Sequence, residues 1–256
     1  MSKAYRKGIT GLFLIALMGG CASAPRYDGM EADDLFALGA QAFEEEDWDE
    51  STQVFERLIF TAPTFERLVE ARMYLARAYF NKGEYITSVS EFTRIVDRHP
   101  GHELASEASL GICQSYAAQS PHVQRDQTLT GQAWSACQAT AIDFRGTEVA
   151  VQAEEIRNQM EDKLAQNIYE VGDFYFERDL IPSGLIYFKS VLDQYPGNRW
   201  SANALLRLYQ SYVELEWDTE AEEAKGRLLR EFPDSEAAKE IGNAGGGGGT
   251  GGEGTV

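Results

Sequence analysis

Four prolines divide most of the chain into segments that share one pattern. The intervals from Pro63 to Pro100 and from Pro196 to Pro233 are both 37 residues, and each proline follows an apolar run at helical spacing. Because two antiparallel helices approach closely only where one offers a small residue and the other a ring, the pattern before these prolines predicts pairs of helices. The residues at these positions are Gly39, Ala76, Gly172 and Tyr209 at 24 positions before the proline, Ser51, Ser88, Gly184 and Ala221 at 12 positions before it, and Phe55, Phe92, Phe188 and Lys225 at 8 positions before it. Three of the first four are small, and Lys225 takes the place of the ring in the last pair.

This pattern closely resembles the tetratricopeptide repeat, a helix–turn–helix unit of about 34 residues. Each such pair exposes apolar surface that only the next pair covers, so the units have to stack in series. The period-two alternation that indicates strands appears nowhere at length in the sequence. The resemblance therefore implies an all-α fold, a right-handed α-α superhelix (solenoid) of five tetratricopeptide-like helix pairs.

The third pair lies between the second and third prolines and contains two insertions. Gly111 takes the first small position, but 34 residues instead of 24 separate it from Arg145, and the extra ten fall around residues 120–128. A second insertion of 14 residues falls in Glu148–Leu164, which is predicted to continue through Phe176 as one long helix. We expect three N-terminal repeats in residues 32–146, a C-terminal half with the extended helix and two repeats in residues 147–240, and a glycine-rich disordered tail in residues 241–256.

The first twenty residues look like a lipoprotein signal peptide. Three basic residues precede the apolar run Ile9–Met18, which is far shorter than the about 20 residues that span a bilayer. The run ends in Gly-Gly-Cys21, which resembles the bacterial lipobox. The resemblance implies that Cys21 is lipidated and anchors the chain at the periplasmic face of the outer membrane, with residues 21–31 as a tether. Ordinary signal cleavage near Ala22 or Ala24 is the alternative.

The composition argues against several classes of function. The chain has 23 basic and 41 acidic residues, a net charge of −18, so we expect no nucleic-acid partner. No C-x-x-C, H-E-x-x-H or G-x-x-x-x-G-K-[ST] motif occurs, and we expect neither an enzyme nor a cofactor. His99 and His102 share one turn without an evident third ligand, so no metal site is expected. Cys113 and Cys137 could pair, but two buried thiols are favoured because their helical positions do not evidently face each other.

Two stretches are more specific than the repeats require. They are Arg125–Thr128 in the inserted loop and Lys163–Gln166 leading into Tyr169–Tyr175. Together with the lipobox and the two interruptions, they resemble the BamD (YfiO-type) family of outer-membrane protein assembly lipoproteins over about residues 18–240. The resemblance implies a non-enzymatic subunit of the β-barrel assembly (BAM) machine. In that family the N-terminal repeats receive the signal strand of unfolded barrel precursors, and the C-terminal repeats dock on the POTRA domains of a BamA-like subunit.

Two other functions are alternatives to this one. The first is another periplasmic repeat lipoprotein that acts as a scaffold for a pilus, division or envelope complex. The second is an enzyme, for which the sequence lacks a nucleophile–base pair or a metal motif.

In the repeat family, the first helix of each pair lines the concave face of the solenoid. The corresponding positions of the first three pairs predict an apolar groove in which rings pack against a signal strand, Arg77 pairs with a carboxylate and Asn81 bonds the backbone. The alternative is that half of these rings pack against the neighbouring helix and do not face the groove. The predicted peptide-binding residues are Phe36, Phe43, Met73, Arg77, Phe80, Asn81, Ile112 and Tyr116. The predicted partner-binding residues of the C-terminal half are Tyr169, Asp173, Phe176, Leu206 and Gln210.

Overall fold

The computed structural model describes residues 27–245, with side chains through residue 242. Within that range the backbone forms α-helices and no strand. The helices are α1 (Ala32–Glu44), α2 (Trp48–Thr61), α3 (Leu68–Asn81), α4 (Tyr85–Arg98), α5 (Ala105–Ala118), α6 (Thr128–Asp143), α7 (Glu148–Phe176), α8 (Ile181–Gln194), α9 (Arg199–Glu214), α10 (Asp218–Glu231) and α11 (Glu236–Gly245). Each helix packs against the next, and the odd-numbered helices also contact one another in series. The predicted all-α solenoid of stacked helix pairs is confirmed.

Small residues on the first helix of a pair make room for a ring on the second. A Cβ atom added to Gly39 would stand 2.9 Å from the ring of Phe55, and one added to Gly172 would stand 2.7 Å from the ring of Phe188. The hydroxyl of Ser51 donates a hydrogen bond of 3.2 Å to the Gly39 carbonyl across the same pair of helices. The predicted alternation of small and large residues therefore produces the close helix contact expected of it.

The turn inside four of the pairs uses one residue in the left-handed conformation. These residues are Glu46, Gly83, Asp179 and Glu216, with φ angles of 58°, 78°, 58° and 58°. Each stands seven positions after the residue that lies 24 positions before the proline of its pair, so the four pairs share one register. The third pair replaces this turn with the longer segment 119–127, where the sequence predicts its first insertion.

The inserted loop 119–127 is fixed onto α7 by side-chain hydrogen bonds. The ammonium group of Lys163 donates to the Ser120 hydroxyl at 2.9 Å, and the amide of Asn167 donates to the Val123 carbonyl at 2.6 Å. Burial behind this loop lowers the pKa of Lys163. Helix α7 itself has 29 residues, so the predicted continuous helix through Phe176 is confirmed.

Cys113 and Cys137 form a disulfide, so the expectation of two free buried thiols is wrong. Both side chains are buried where α5 and α6 pack side by side, in a cluster with Leu110, Ala141 and Ala153. The prediction failed because the register of α6 against α5 depends on the inserted loop, whose path the repeat pattern does not specify.

The ends of the fold also differ from the predicted boundaries. Tyr27 is buried in the core of the first pair, and Asp28 forms a 3.1 Å ion pair with Arg57, so residues 27–31 of the predicted tether belong to the fold. Helix α11 continues to Gly245 because Ile241 is buried against the fifth pair, so residues 241–245 are not part of a disordered tail.

The signal peptide, Cys21 and the rest of the glycine-rich tail lie outside the described residues. Across residues 27–245, none of the helices combines the length and the apolar character needed to cross a bilayer.

Candidate peptide-binding groove and docking surface

The concave side of the N-terminal half contains a groove of about 520 Å³ between α1, α3, α5 and the first turns of α7. Four of the eight predicted peptide-binding residues line it together. The lining comprises Phe43, Arg77, Phe80, Asn81, Phe92, Glu107, Leu110, Gly111, Gln114, Glu148, Val149 and Gln152. The combination of rings, carboxamides and one guanidinium gives the groove both apolar contacts and hydrogen-bond donors for an extended peptide.

The aromatic side of this groove is held in place by ring contacts. Phe43 packs edge-on against Trp48 and Tyr74, with ring centroids 5.0 and 5.1 Å apart. Phe80 packs edge-on against Tyr85 at 5.3 Å. Both phenylalanines remain half-buried, so each keeps part of its ring accessible for a bound side chain.

An ion pair joins two walls of the groove. The guanidinium of Arg77 on α3 donates to the carboxylate of Glu107 on α5 at 2.5 Å, and both side chains are nearly half exposed. Such an exposed pair contributes only about 0–1 kcal/mol, so an incoming carboxylate can exchange with Glu107 at little cost. Asn81, one turn further along α3, is exposed beside Arg77.

The other predicted groove residues lie elsewhere. Phe36 and Met73 are only 5% and 3% exposed, because they pack in the cores of the first and second pairs. Ile112 packs against the core around Met73, and Tyr116 is half-buried on α5 outside the groove lining. Phe36, Met73 and Ile112 thus pack against side chains of neighbouring helices.

The predicted set leaves out the side of the groove formed by α7. Val149 and Gln152 belong to its first turns and line the same groove as Phe80 and Asn81, as does Gln114 of α5. The 14-residue insertion is the signal that could have identified them, because a helix starting directly after the third pair takes the place of the next first helix.

In the C-terminal half, four of the five predicted partner-binding residues meet at Arg207. The guanidinium of Arg207 lies 2.7 Å from a carboxylate oxygen of Asp173, stacks 4.6 Å from the ring centroid of Phe176 and donates to Gln210 at 3.0 Å. Tyr169 also hydrogen-bonds this guanidinium. Leu206 points to a different core, the one formed with α11.

The charges around Arg207 compensate for its partial burial. Burial lowers the pKa of this guanidinium, but the hydrogen bond that it donates to Tyr169 and the charges of Asp173 and Glu177 outweigh this effect and leave the pKa raised. The pKa of Tyr169 is also raised, chiefly by burial and then by the charge of Asp173. Arg207 was not among the predicted residues, since only its reach from α9 back to α7 brings it into this cluster.

The groove and the Arg207 cluster hold no set of groups arranged for metal binding. Across residues 27–245, no three histidine, cysteine, aspartate or glutamate side chains are grouped so as to hold a metal ion.

Comparison with known proteins places this architecture among outer membrane lipoproteins. The family model YfiO, described as "Outer membrane lipoprotein", matches residues 28–229. The outer membrane protein assembly factor BamD of Caulobacter vibrioides is 23% identical over 88% of this chain and 75% of its own length. BamD of Rickettsia prowazekii is also 23% identical, over 90% of this chain and 92% of its own. Among solved structures, the complex of the TPR2AB domain of yeast Sti1 with pHSP90 is similar over 81% of this chain and 80% of its own, with 16% identity and a TM-score of 0.42.

Proposed function

The chain belongs to the YfiO family of outer membrane lipoproteins, and we propose that it is a non-enzymatic subunit of the machine that assembles β-barrel proteins in the outer membrane. Its relatives are named as assembly factors, which supports a role in outer membrane protein assembly. In this proposal Cys21 carries the lipid anchor, and the solenoid lies on the periplasmic side of the membrane.

The N-terminal groove is the proposed binding site for unfolded barrel precursors. The observation that carries this assignment is the convergence of Phe43, Phe80, Arg77 and Asn81 on one concave surface. A barrel signal strand has alternating aromatic residues and ends in a carboxylate. Its rings would pack against the two phenylalanines, and its carboxylate would replace Glu107 as the partner of Arg77.

Replacing Arg77 or Phe80 with alanine is expected to weaken the binding of a synthetic signal-strand peptide by about 5- to 30-fold each. The expected loss corresponds to about 1–2 kcal/mol, which is usual for a central arginine or aromatic residue in a peptide site. Fluorescence anisotropy of the labelled peptide measures the effect. Ile86→Ala is the matched control, because Ile86 is exposed on α4 outside the groove. Unchanged affinity of folded Arg77→Ala and Phe80→Ala variants would rule out this groove.

The surface around Arg207 is the proposed docking site for the POTRA domains of a BamA-like barrel subunit. It combines two anchoring rings, Tyr169 and Phe176, with a polar rim of charged and carboxamide groups, as protein–protein interfaces do. Arg207 holds both rings in position from α9. The affinity of a partner that binds this surface would therefore depend on Arg207 even if the partner contacts only the two rings.

An Arg207→Leu variant is expected to bind a purified POTRA fragment at least about tenfold more weakly, with unchanged affinity for the signal-strand peptide. The loss of Arg207 leaves Asp173 and Glu177 without their counter-charge, which costs about 1–3 kcal/mol of stability. Circular dichroism therefore has to show first that the variant is folded at the temperature of the assay. Arg230→Leu serves as the control, because Arg230 is exposed on α10. Undiminished POTRA binding by the folded Arg207→Leu chain would contradict the assignment.

A further inference from the structure

Each repeat has a position on its first helix that faces the preceding pair. It is occupied by Ala78, Ser115 and Ser211 in the second, third and fifth pairs, all with an exposed fraction of 0%. In the third pair this position lies two residues after Cys113, and the hydroxyl of Ser115 is 3.1 Å from the hydroxyl of Ser88 on α4, the second helix of the preceding pair. In the fourth pair it lies two residues after Gly172. The fourth pair has Phe174 there, and Phe174 is 52% exposed. The largest side chain of the four thus lies at the one position that the described chain does not cover.

The length of α7 explains why this position is open. Helix α6 packs against the first half of α7, where Cys137 and Ala141 meet Ala153. The inserted loop then reaches as far as Glu170, to which Gln124 donates at 3.3 Å. Within the described residues this is the last hydrogen bond from the third pair along α7, four residues before Phe174. The fourth pair therefore lacks the second helix that precedes an ordinary repeat.

The first pair, which has no preceding pair, shows what an uncovered position ordinarily contains. Gln41 stands there, exposed and hydrogen-bonded to Glu45 at 2.8 Å. Polar side chains at the outer face are the usual way in which terminal repeats remain soluble. The fourth pair instead has an aromatic residue at this position. An exposed aromatic residue there indicates a surface that is covered when the protein functions.

We name as the open face the four residues Phe174, Tyr175, Arg178 and Tyr187. Tyr175 packs edge-on against Phe174 at 5.6 Å and stacks on Tyr187 at 5.5 Å between ring centroids. The guanidinium of Arg178 lies 3.5 Å from the ring centroid of Phe174 and donates to the Phe174 carbonyl at 2.9 Å. In the part of the chain that the structure describes, this cation forms no ion pair with a carboxylate, unlike most others of this acidic chain.

We propose that the open face binds an amphipathic helix of a partner protein, which takes the place of the missing second helix and pairs an aspartate or glutamate with Arg178. A helix fits the vacant position, because the second helix of the preceding pair occupies the corresponding position in the second, third and fifth pairs. The exposed guanidinium of Arg178, which lies over the ring of Phe174, favours a carboxylate as its partner. Residues 246–256 contain only glycine, threonine, glutamate and one valine, so they cannot supply the apolar side. The open face is distinct from the Arg207 surface, because Phe174 lies about 100° around α7 from Asp173.

The test places a photo-reactive benzoylphenylalanine at Phe174 in the full lipoprotein in cells and maps the crosslinked segment by mass spectrometry. Ile186 is the matched control position, since it is 65% exposed on α8 outside the open face. We expect a crosslink from Phe174, and not from Ile186, to an amphipathic helical segment of another protein that contains an acidic residue. No crosslink, equal crosslinks from both positions, or crosslinks only to lipid, to a second copy or to this chain's own tail would overturn the proposal.

A binding measurement then tests the chemistry with the mapped segment as a synthetic peptide. Phe174→Gln, which copies Gln41 of the first pair, is expected to weaken binding at least about tenfold, while Ile186→Gln changes it less than about twofold. Arg178→Glu is expected to weaken it to a similar degree, and a lysine in place of the peptide's acidic residue is expected to restore it. Phe174→Gln should leave the thermal unfolding of the chain unchanged. Equal binding by Phe174→Gln and the parent, or a failure of the charge exchange, would refute the assignment.

Discussion

Replacing Phe188 with alanine is expected to lower the free energy of unfolding by about 3–5 kcal/mol, the usual cost of deleting a buried ring. Phe188 is fully buried, and its ring lies against Gly172 and Gly184 and near the rings of Tyr169 and Phe176. The two glycines have no side chains that could fill the cavity from their side of the site. Urea unfolding followed by circular dichroism measures the loss.

The matched control is Phe174→Ala in the same pair of helices. It removes the same atoms from a half-exposed ring, so we expect a loss of less than about 1 kcal/mol. Equal losses for the two variants would show that packing between the helices of the pair does not determine stability here.

Removing the disulfide between Cys113 and Cys137 is expected to lower the free energy of unfolding by about 2–4 kcal/mol. The bridge joins α5 to α6 across 24 residues that include the inserted loop, and so restricts the unfolded chain. In the double variant Cys113→Ala, Cys137→Ala both positions keep apolar side chains, which limits the direct packing loss. Urea unfolding of the oxidised chain and of the double variant gives the difference.

The reduced parent chain separates the two contributions to this loss. It keeps both sulfur atoms and lacks only the covalent bond, so its stability should lie near that of the double variant. Two reactive thiols in the denatured chain isolated from an oxidising compartment would contradict the disulfide itself.

The repeat pattern predicted the helix pairs because their packing depends on residue size at fixed intervals. Gly39 with Phe55 and Gly172 with Phe188 meet as the spacing indicates, and the absence of proline and glycine in Glu148–Leu164 was enough to predict one continuous α7. Both features are local or periodic, so a single sequence contains the information for them.

The groove and the disulfide depended on information that is not periodic. The concave positions of the repeat include Phe36 and Phe43 alike, yet the first is taken up by Phe55 and Tyr74 in the core, whereas the second lines the groove. The pairing of Cys113 depended on a loop without the usual turn. Arg207 joins its cluster only through the length of its side chain, which spacing along one helix does not reveal.

Helix α7 contributes residues to both proposed sites and therefore connects them mechanically. Its first turns form a wall of the precursor groove through Val149 and Gln152, and its last turns contain Asp173 and Phe176 beneath Arg207. A straight helix of this length extends about 43 Å, so a tilt of roughly five degrees at one end displaces the other by about 4 Å. A barrel subunit that displaces the C-terminal end of α7 would thereby widen or narrow the groove that binds the precursor. Binding and release of the precursor would then depend on the position of the barrel subunit.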